Sequence, residues 1–188
     1  MATRIRLPRA RSAAAVAGTA VALLAALPAA PADALSGGFT TPKSTTVVNA
    51  YSGKCLEIAD WSTDNGALAR QWDCTGGANQ LWDLKQANGI TMLVNRNSGK
   101  CLEIADWSTE SGAPARQWTC TGGWNQGWNY AGEIGPRKEL GLSNVNSAAL
   151  LEIADWRTDN GAPARQWRSP AIGVAAANKA WITAIKLL

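Results

Sequence analysis

The chain has 188 residues, with 18 basic and 14 acidic side chains, a formal net charge of +4 and no histidine. Four arginines and one aspartate fall in the first 34 residues, so the rest carries 14 basic against 13 acidic groups. That near balance leaves no basic field to hold a polyanion, which argues against nucleic acid as a partner. Without histidine, Ser-His and Cys-His nucleophilic centres cannot form.

In chain order, residues 1–34 read as a secretory signal peptide. Arg4, Arg6, Arg9 and Arg11 form a basic start, Ser12 to Leu27 is apolar and uncharged, and Ala32-Asp33-Ala34 supplies a small-x-small cleavage signal. Ala30-Pro31-Ala32 is the rival cleavage site. The apolar run is 16 residues, short of the roughly 20 that a spanning helix needs. Cleavage near Ala34 would give a secreted, extracellular chain with no membrane span. Residues 35–42, with Gly37-Gly38, read as a short flexible arm.

From residue 43 to 188 the chain is built on a repeat. CLEIADWSTDNGALARQWDCTGGANQLW runs from Cys55 to Trp82, and CLEIADWSTESGAPARQWTCTGGWNQGW from Cys101 to Trp128. LLEIADWRTDNGAPARQW follows from Leu150 to Trp167. Trp72 and Trp118 are 46 residues apart, Trp118 and Trp167 are 49 apart, and a period in the forties marks a repeat architecture. The units span about 43–89, 90–137 and 138–188. Brief strands are expected at 45–48, 91–94 and 140–142, and at each Cys-Leu-Glu-Ile and Arg-Gln-Trp segment. Ser52-Gly53, Asp64-Asn65-Gly66 and Thr75-Gly76-Gly77 are turn chemistry. Beyond Leu35 no helical stripe stands out, so the expectation is an all-β closed structure with pseudo-threefold symmetry. One unit in triplicate suits a scaffold with up to three similar sites better than one catalytic centre.

Four cysteines allow three pairings. The third repeat has Leu150 and Ser169 at the equivalent positions, so both cysteines are absent together. Joint absence is what Cys55–Cys74 and Cys101–Cys120 bridges predict. Each would close a loop of about 20 residues, worth on the order of 3 kcal/mol, and export makes them plausible. A zinc site with all four thiolates as ligands is the alternative, disfavoured by the lack of CxxC and His. No metal or cofactor is expected. Asp60, Asp64 and Asn65 resemble a calcium loop only weakly, and Asx-Gly turn formation explains them better.

The Gly-Lys-Cys-Leu start, the Trp-x-Cys centre and the Asn-Gln-x-Trp end of the unit resemble the ricin B-type lectin domain, or carbohydrate-binding module family 13. The resemblance covers residues 43–188 and implies a β-trefoil, in which six strands form a short barrel capped by three hairpins. The third repeat is altered. Asn178-Lys179-Ala180-Trp181 restores its frame after a four-residue insertion, with Lys179 where Gln is expected. Ile182 to Leu188 can supply the closing strand.

The resemblance also implies a site. It makes Trp72, Trp118 and Trp167 the aromatics on which a sugar ring stacks. Asn79, Asn125 and Asn178 match the hydroxyl-binding Asn, and Gln80 and Gln126 tie the turn together within reach of a ligand. Trp82, Trp128 and Trp181 are expected in the core. Trp61, Trp107 and Trp156 fall at the lip of each pocket. Two departures coincide: Glu57, Glu103 and Glu152 replace the usual Asp, and Arg70, Arg116 and Arg165 stand where Gln is common. A bidentate Glu–Arg pair in each pocket is expected. Such a pair either closes the pocket or suits it to an acidic or otherwise different sugar, and galactose binding should be weakened. Sites one and two carry the fuller set, and site three ranks last.

These expectations make the chain a secreted, non-enzymatic, monomeric carbohydrate-binding module whose partner is a glycan or polysaccharide. Its carboxylates at 57, 103 and 152 are one position repeated, not a catalytic pair. The alternative is a trefoil that binds a protein, such as a protease inhibitor, through a distinctive loop at 170–177.

Overall fold

A computed structural model describes residues 44–87, 89–134, 139–168 and 177–183, all within the second of two units, Met1–Phe39 and Thr40–Leu188. The expected signal peptide and arm, most of the expected 170–177 insertion and the end of the expected closing strand lie outside the described residues. Among the described residues twelve strands are present, joined by short 3-10 turns. They are β1 (Val47–Asn49), β2 (Cys55–Ile58), β3 (Ala69–Trp72), β4 (Trp82–Ala87), β5 (Ile90–Asn95) and β6 (Cys101–Ile104). There follow β7 (Ala115–Trp118), β8 (Trp128–Ile134), β9 (Glu139–Asn144), β10 (Leu150–Ile153), β11 (Ala164–Trp167) and β12 (Ala180–Thr183).

The strands pair antiparallel throughout. β1, β12, β9, β8, β5 and β4 join in that order, and a bridge between Thr45 and Trp82 closes the ring. β2–β3, β6–β7 and β10–β11 are hairpins in identical register, with Glu57, Glu103 and Glu152 opposite Arg70, Arg116 and Arg165. This is the β-trefoil: a six-stranded barrel with three hairpins, in three repeats of which the third is altered. The expected Cys55–Cys74 and Cys101–Cys120 bridges are both formed.

Alternation along the strands decides the core. Leu56, Ile58, Leu102, Ile104, Leu151 and Ile153 point inward and are fully buried with Trp82, Trp128 and Trp181. Each indole also satisfies its one donor: Nε1 gives a 3.1 Å hydrogen bond to the carbonyl of Leu56, Leu102 or Leu151. The third repeat thus keeps its Trp despite losing the disulfide, and Ala180-Trp181 enters β12 as the restored frame requires.

The hairpins interlock in a ring. The backbone N–H of Gln117 donates to Ala67 and its carbonyl accepts from Gly66, at 2.9 and 2.8 Å. Gln166 does the same with Ala113 and Gly112, and Gln71 with Ala162 and Gly161. Each glutamine side chain reinforces the clasp. Gln71 Nε2 donates to the carbonyls of Arg157 and Asp159, Gln117 to those of Ser62 and Asp64, and Gln166 to those of Ser108 and Glu110. The Gly66, Gly112 and Gly161 turns that are gripped this way have φ near +90°, a conformation that glycine adopts without penalty.

Candidate functional site

The candidate sites lie where each hairpin meets the turn of its own repeat, Asn-Gln in the first two and Asn178-Lys179 in the third. Sequence spacing alone puts Glu and Arg 13 residues apart; the hairpin register sets them side by side. Arg70 Nε donates to Glu57 Oε1 at 2.9 Å, Arg116 to Glu103 at 3.0 Å and Arg165 to Glu152 at 2.9 Å. The pair is not bidentate as expected. The second arm of each guanidinium, Nη2, reaches Asp60, Asp106 or Asp155 at 3.0 Å. The reason is local: the Ala-Asp-Trp turn swings its Asp back over the hairpin, with Asp60, Asp106 and Asp155 at φ near +55°. The arginine is forked between two carboxylates, one buried and one exposed.

The buried carboxylate is fully engaged. Glu57 Oε2 accepts from Asn79 Nδ2 at 3.2 Å and Gln80 Nε2 at 2.9 Å. Glu103 Oε2 accepts from Asn125 and Gln126 at 3.2 and 3.0 Å. In the third repeat Asn178 donates at 3.3 Å and Lys179 Nζ lies 2.9 Å from Glu152 Oε2. The first two sites, counting Glu, Asp and Arg, each carry one net negative charge, and Lys179 brings the third to zero. Gln80 and Gln126 also brace the turn, accepting from the backbone N–H of Thr75 and Thr121 at 2.8 Å. Lys179 supplies the donor but not that acceptor.

Each asparagine keeps one atom unused. Its Nδ2 is committed to Glu and to the carbonyl of Ile58, Ile104 or Ile153. The Oδ1 of Asn79, Asn125 and Asn178 is buried with no hydrogen-bond partner. A buried acceptor without a donor is costly, and here the same atom is orphaned three times.

Two sets of tryptophans flank this floor. Each Arg guanidinium lies over the ring of Trp72, Trp118 or Trp167, 4.5, 4.7 and 4.6 Å from the centroid, within cation–π range. The edge of each ring rests against Gly161, Gly66 or Gly112 of a neighbouring repeat. So the expected stacking ring already carries an arginine on one face. Trp61, Trp107 and Trp156 are exposed and, like the Asp before them, have φ near +55°. Trp61 and Trp107 lie against Gly77 and Gly123, so closely that a Cβ there would come within 2.7 and 2.8 Å of the ring. In the second repeat a cleft of about 230 Å³ opens between Trp107 and Trp118, lined also by Glu103, Arg116, Thr121, Asn125 and Gln126.

Several positioning residues escaped the sequence reading. Asn95 and Asn144 donate to the carbonyls of Asn79 and Asn125, and Asn49 to that of Asn178, at 2.8 to 2.9 Å. Asn97 and Asn146 hold the carbonyls of Trp61 and Trp107. At the equivalent third place Tyr51 meets the ring of Trp156 edge-on at 5.2 Å. Asn49, Asn95 and Asn144 recur at the spacing of the tryptophans, a signal that would have found them.

The ricin-type beta-trefoil lectin domain-like family model matches residues 38–118 and 78–167. The chain belongs to this family. Members of the family are carbohydrate-binding domains, generally without catalysis of their own. A designed threefold symmetric protein, ThreeFoil, is 31% identical with a TM-score of 0.69, over 77% of this chain and 99% of that one. An exo-β-1,3-galactanase from Clostridium thermocellum is 32% identical with a TM-score of 0.68, over 74% of this chain and 29% of that one. The Rhizoctonia solani agglutinin shares the fold at 18% identity and a TM-score of 0.64, over 76% of this chain and 94% of that one. Among curated relatives, serine protease 1 of Rarobacter faecitabidus is 44% identical over 36 residues, which is 19% of this chain and only 7% of that protein.

Proposed function

We propose that this ricin-type domain is an exported carbohydrate-binding module that holds a neutral glycan in the clefts of its first two repeats. The observation that carries the reading is the second-repeat cleft. It has an indole on either side and, on its floor, a buried Asn125 Oδ1 that lacks a donor. A sugar offers an apolar C–H face to the indoles and a rim of hydroxyls to the polar side chains that line the cleft between them. The charge supports a neutral ligand over an acidic one, because Glu103 and Asp106 outnumber Arg116. With Arg116 committed to both, a uronic acid or sulfate would meet a site already one charge negative.

The third repeat supports only a weaker site, since Lys179 replaces the glutamine that braces the turn. The chain spans 29% of the galactanase it resembles, and that likeness makes a β-galactan the first polymer to test. The substitution of Glu and Arg for Asp and Gln is read as weakening galactose itself. Glu103→Asp with Arg116→Gln should therefore raise galactose affinity, and no rise would remove that assignment.

A glycan array with the exported chain tests the reading: it should retain neutral oligosaccharides and ignore uronic acids. Silence across the array would favour the second reading, a protein-binding trefoil with closed pockets. That reading draws support from Arg116 lying over Trp118, and a protease-inhibition assay on the same sample would expose it.

A further inference from the structure

Nine of the ten tryptophans occur as three equivalent sets; Trp124 stands alone. Its counterparts are Ala78 and Ala177, each the first residue of the same 3-10 turn. The turn does not need an aromatic there. In the first repeat Gln80 N–H donates to Gly77 at 2.9 Å, and in the second Gln126 N–H donates to Gly123 at the same distance. Trp124 therefore adds nothing to the backbone that alanine does not already give. It also adds nothing to the core, being 63% exposed and the most exposed large apolar side chain among the described residues.

Its position gives the reason. The next residue, Asn125, lies on the cleft floor, and the preceding one, Gly123, supports the ring of Trp107. Trp124 does not line the cleft itself, but it stands in the chain between Gly123, under the Trp107 ring, and Asn125, which lines it. An exposed indole next in chain to a sugar-sized cleft offers a flat apolar face on which a further ring can stack. The occupant must continue from the cleft and offer a second flat C–H face.

We propose that Trp124 is a second sugar subsite, which makes the second repeat a reader of oligosaccharides of two or more uncharged rings rather than of single sugars. The first ring lies in the cleft and the second stacks on Trp124. This rests on the carbohydrate reading above. It gives one repeat an advantage that symmetry alone would not.

The test is affinity electrophoresis of the chain, Trp124→Ala, Trp118→Ala and Ala78→Trp on gels carrying β-1,3-galactan, xylan, β-1,3-glucan or glycol chitin. Binding of the monosaccharide and disaccharide of each retained polymer is then followed by tryptophan fluorescence. Trp124→Ala should keep its melting temperature and its monosaccharide affinity and lose about five- to tenfold in disaccharide affinity, roughly the effect of 1–1.4 kcal/mol. Ala78→Trp should strengthen disaccharide binding at the first repeat. If the chain is retained and Trp118→Ala is not, but Trp124→Ala matches the parent on every sugar, the subsite is overturned and the carbohydrate reading stands. If no gel retards the parent chain, both are overturned.

Discussion

Gln117 Nε2 in the second repeat donates to the carbonyl of Ser62 in the first at 2.9 Å, while its Oε1 accepts from Ser98 Oγ at 2.6 Å. One buried amide thus joins a hairpin, a loop of the neighbouring repeat and a turn of its own. Gln71 and Gln166 do the same in the other two directions. Gln117→Ala would remove the donor shared by the carbonyls of Ser62 and Asp64 and the acceptor of Ser98 Oγ, a loss of about 1–2 kcal/mol because water can replace part of what is lost at these partly exposed groups. Urea denaturation should show a lower midpoint with an unchanged slope.

Arg116 and Arg165 look equivalent but should not behave so. Removing Arg116 leaves Glu103 buried with only two amide donors, which places Arg116→Ala at about 2–3 kcal/mol, below the full cost of breaking a buried pair because those donors remain. Arg165→Ala leaves Glu152 with Lys179 at 2.9 Å and should lose about 1 kcal/mol. Thermal melts of the two variants side by side decide it. Equal losses would mean that Lys179 does not carry the charge.

Gly123 is a contact rather than a hinge. Its φ is −68°, so alanine is conformationally allowed, but the added Cβ would stand 2.8 Å from the Trp107 ring and 2.9 Å from Asn125 Oδ1. Gly123→Ala should therefore displace the Trp107 ring and weaken glycan binding about tenfold, with a shifted tryptophan emission maximum.

Acid should loosen the clasp between the first and third repeats. Asp73 Oδ2 accepts from Asn160 Nδ2 at 2.8 Å, and its backbone N–H donates to Asn160 Oδ1 at 3.0 Å. Hydrogen bonds from Lys54 and then Asn160 hold the Asp73 carboxyl below the usual aspartate range. A depressed folded-state value means that the stabilisation is complete above the unfolded value, roughly 3.9. It is lost as pH falls below that through the folded value. Carboxyl-detected NMR should show Asp73 titrating below the unfolded aspartate value of roughly 3.9, and Asp73→Asn should flatten the acid limb of the stability curve.

The scaffold was legible because it repeats. The 46- and 49-residue spacings, the joint replacement of both cysteines by Leu150 and Ser169 in the third repeat, and Asn178 restoring the frame each led to an observed feature. The side-chain partnerships were less legible. Glu57 and Arg70 were correctly placed together, but the fork to Asp60 depends on two consecutive left-handed residues. No propensity predicts that at Asp-Trp. Gln71 and Asn95 recur at the tryptophan spacing, but recurrence marks a position without naming its role, and the carbonyls they hold lie in another repeat. Trp124 went unremarked because it breaks the symmetry that organised the reading.

The ring of clasps makes the domain modular in sequence but not in folding. Each repeat presents its turn, Asn-Gln in the first two and Asn178-Lys179 in the third, on a carbonyl held by an asparagine of another, Asn95 for the first, Asn144 for the second and Asn49 for the third. A peptide holding one unit would own every pocket side chain and still lack the support that orients them. It would have to meet two further copies, and close the circle with them, before it had a site at all.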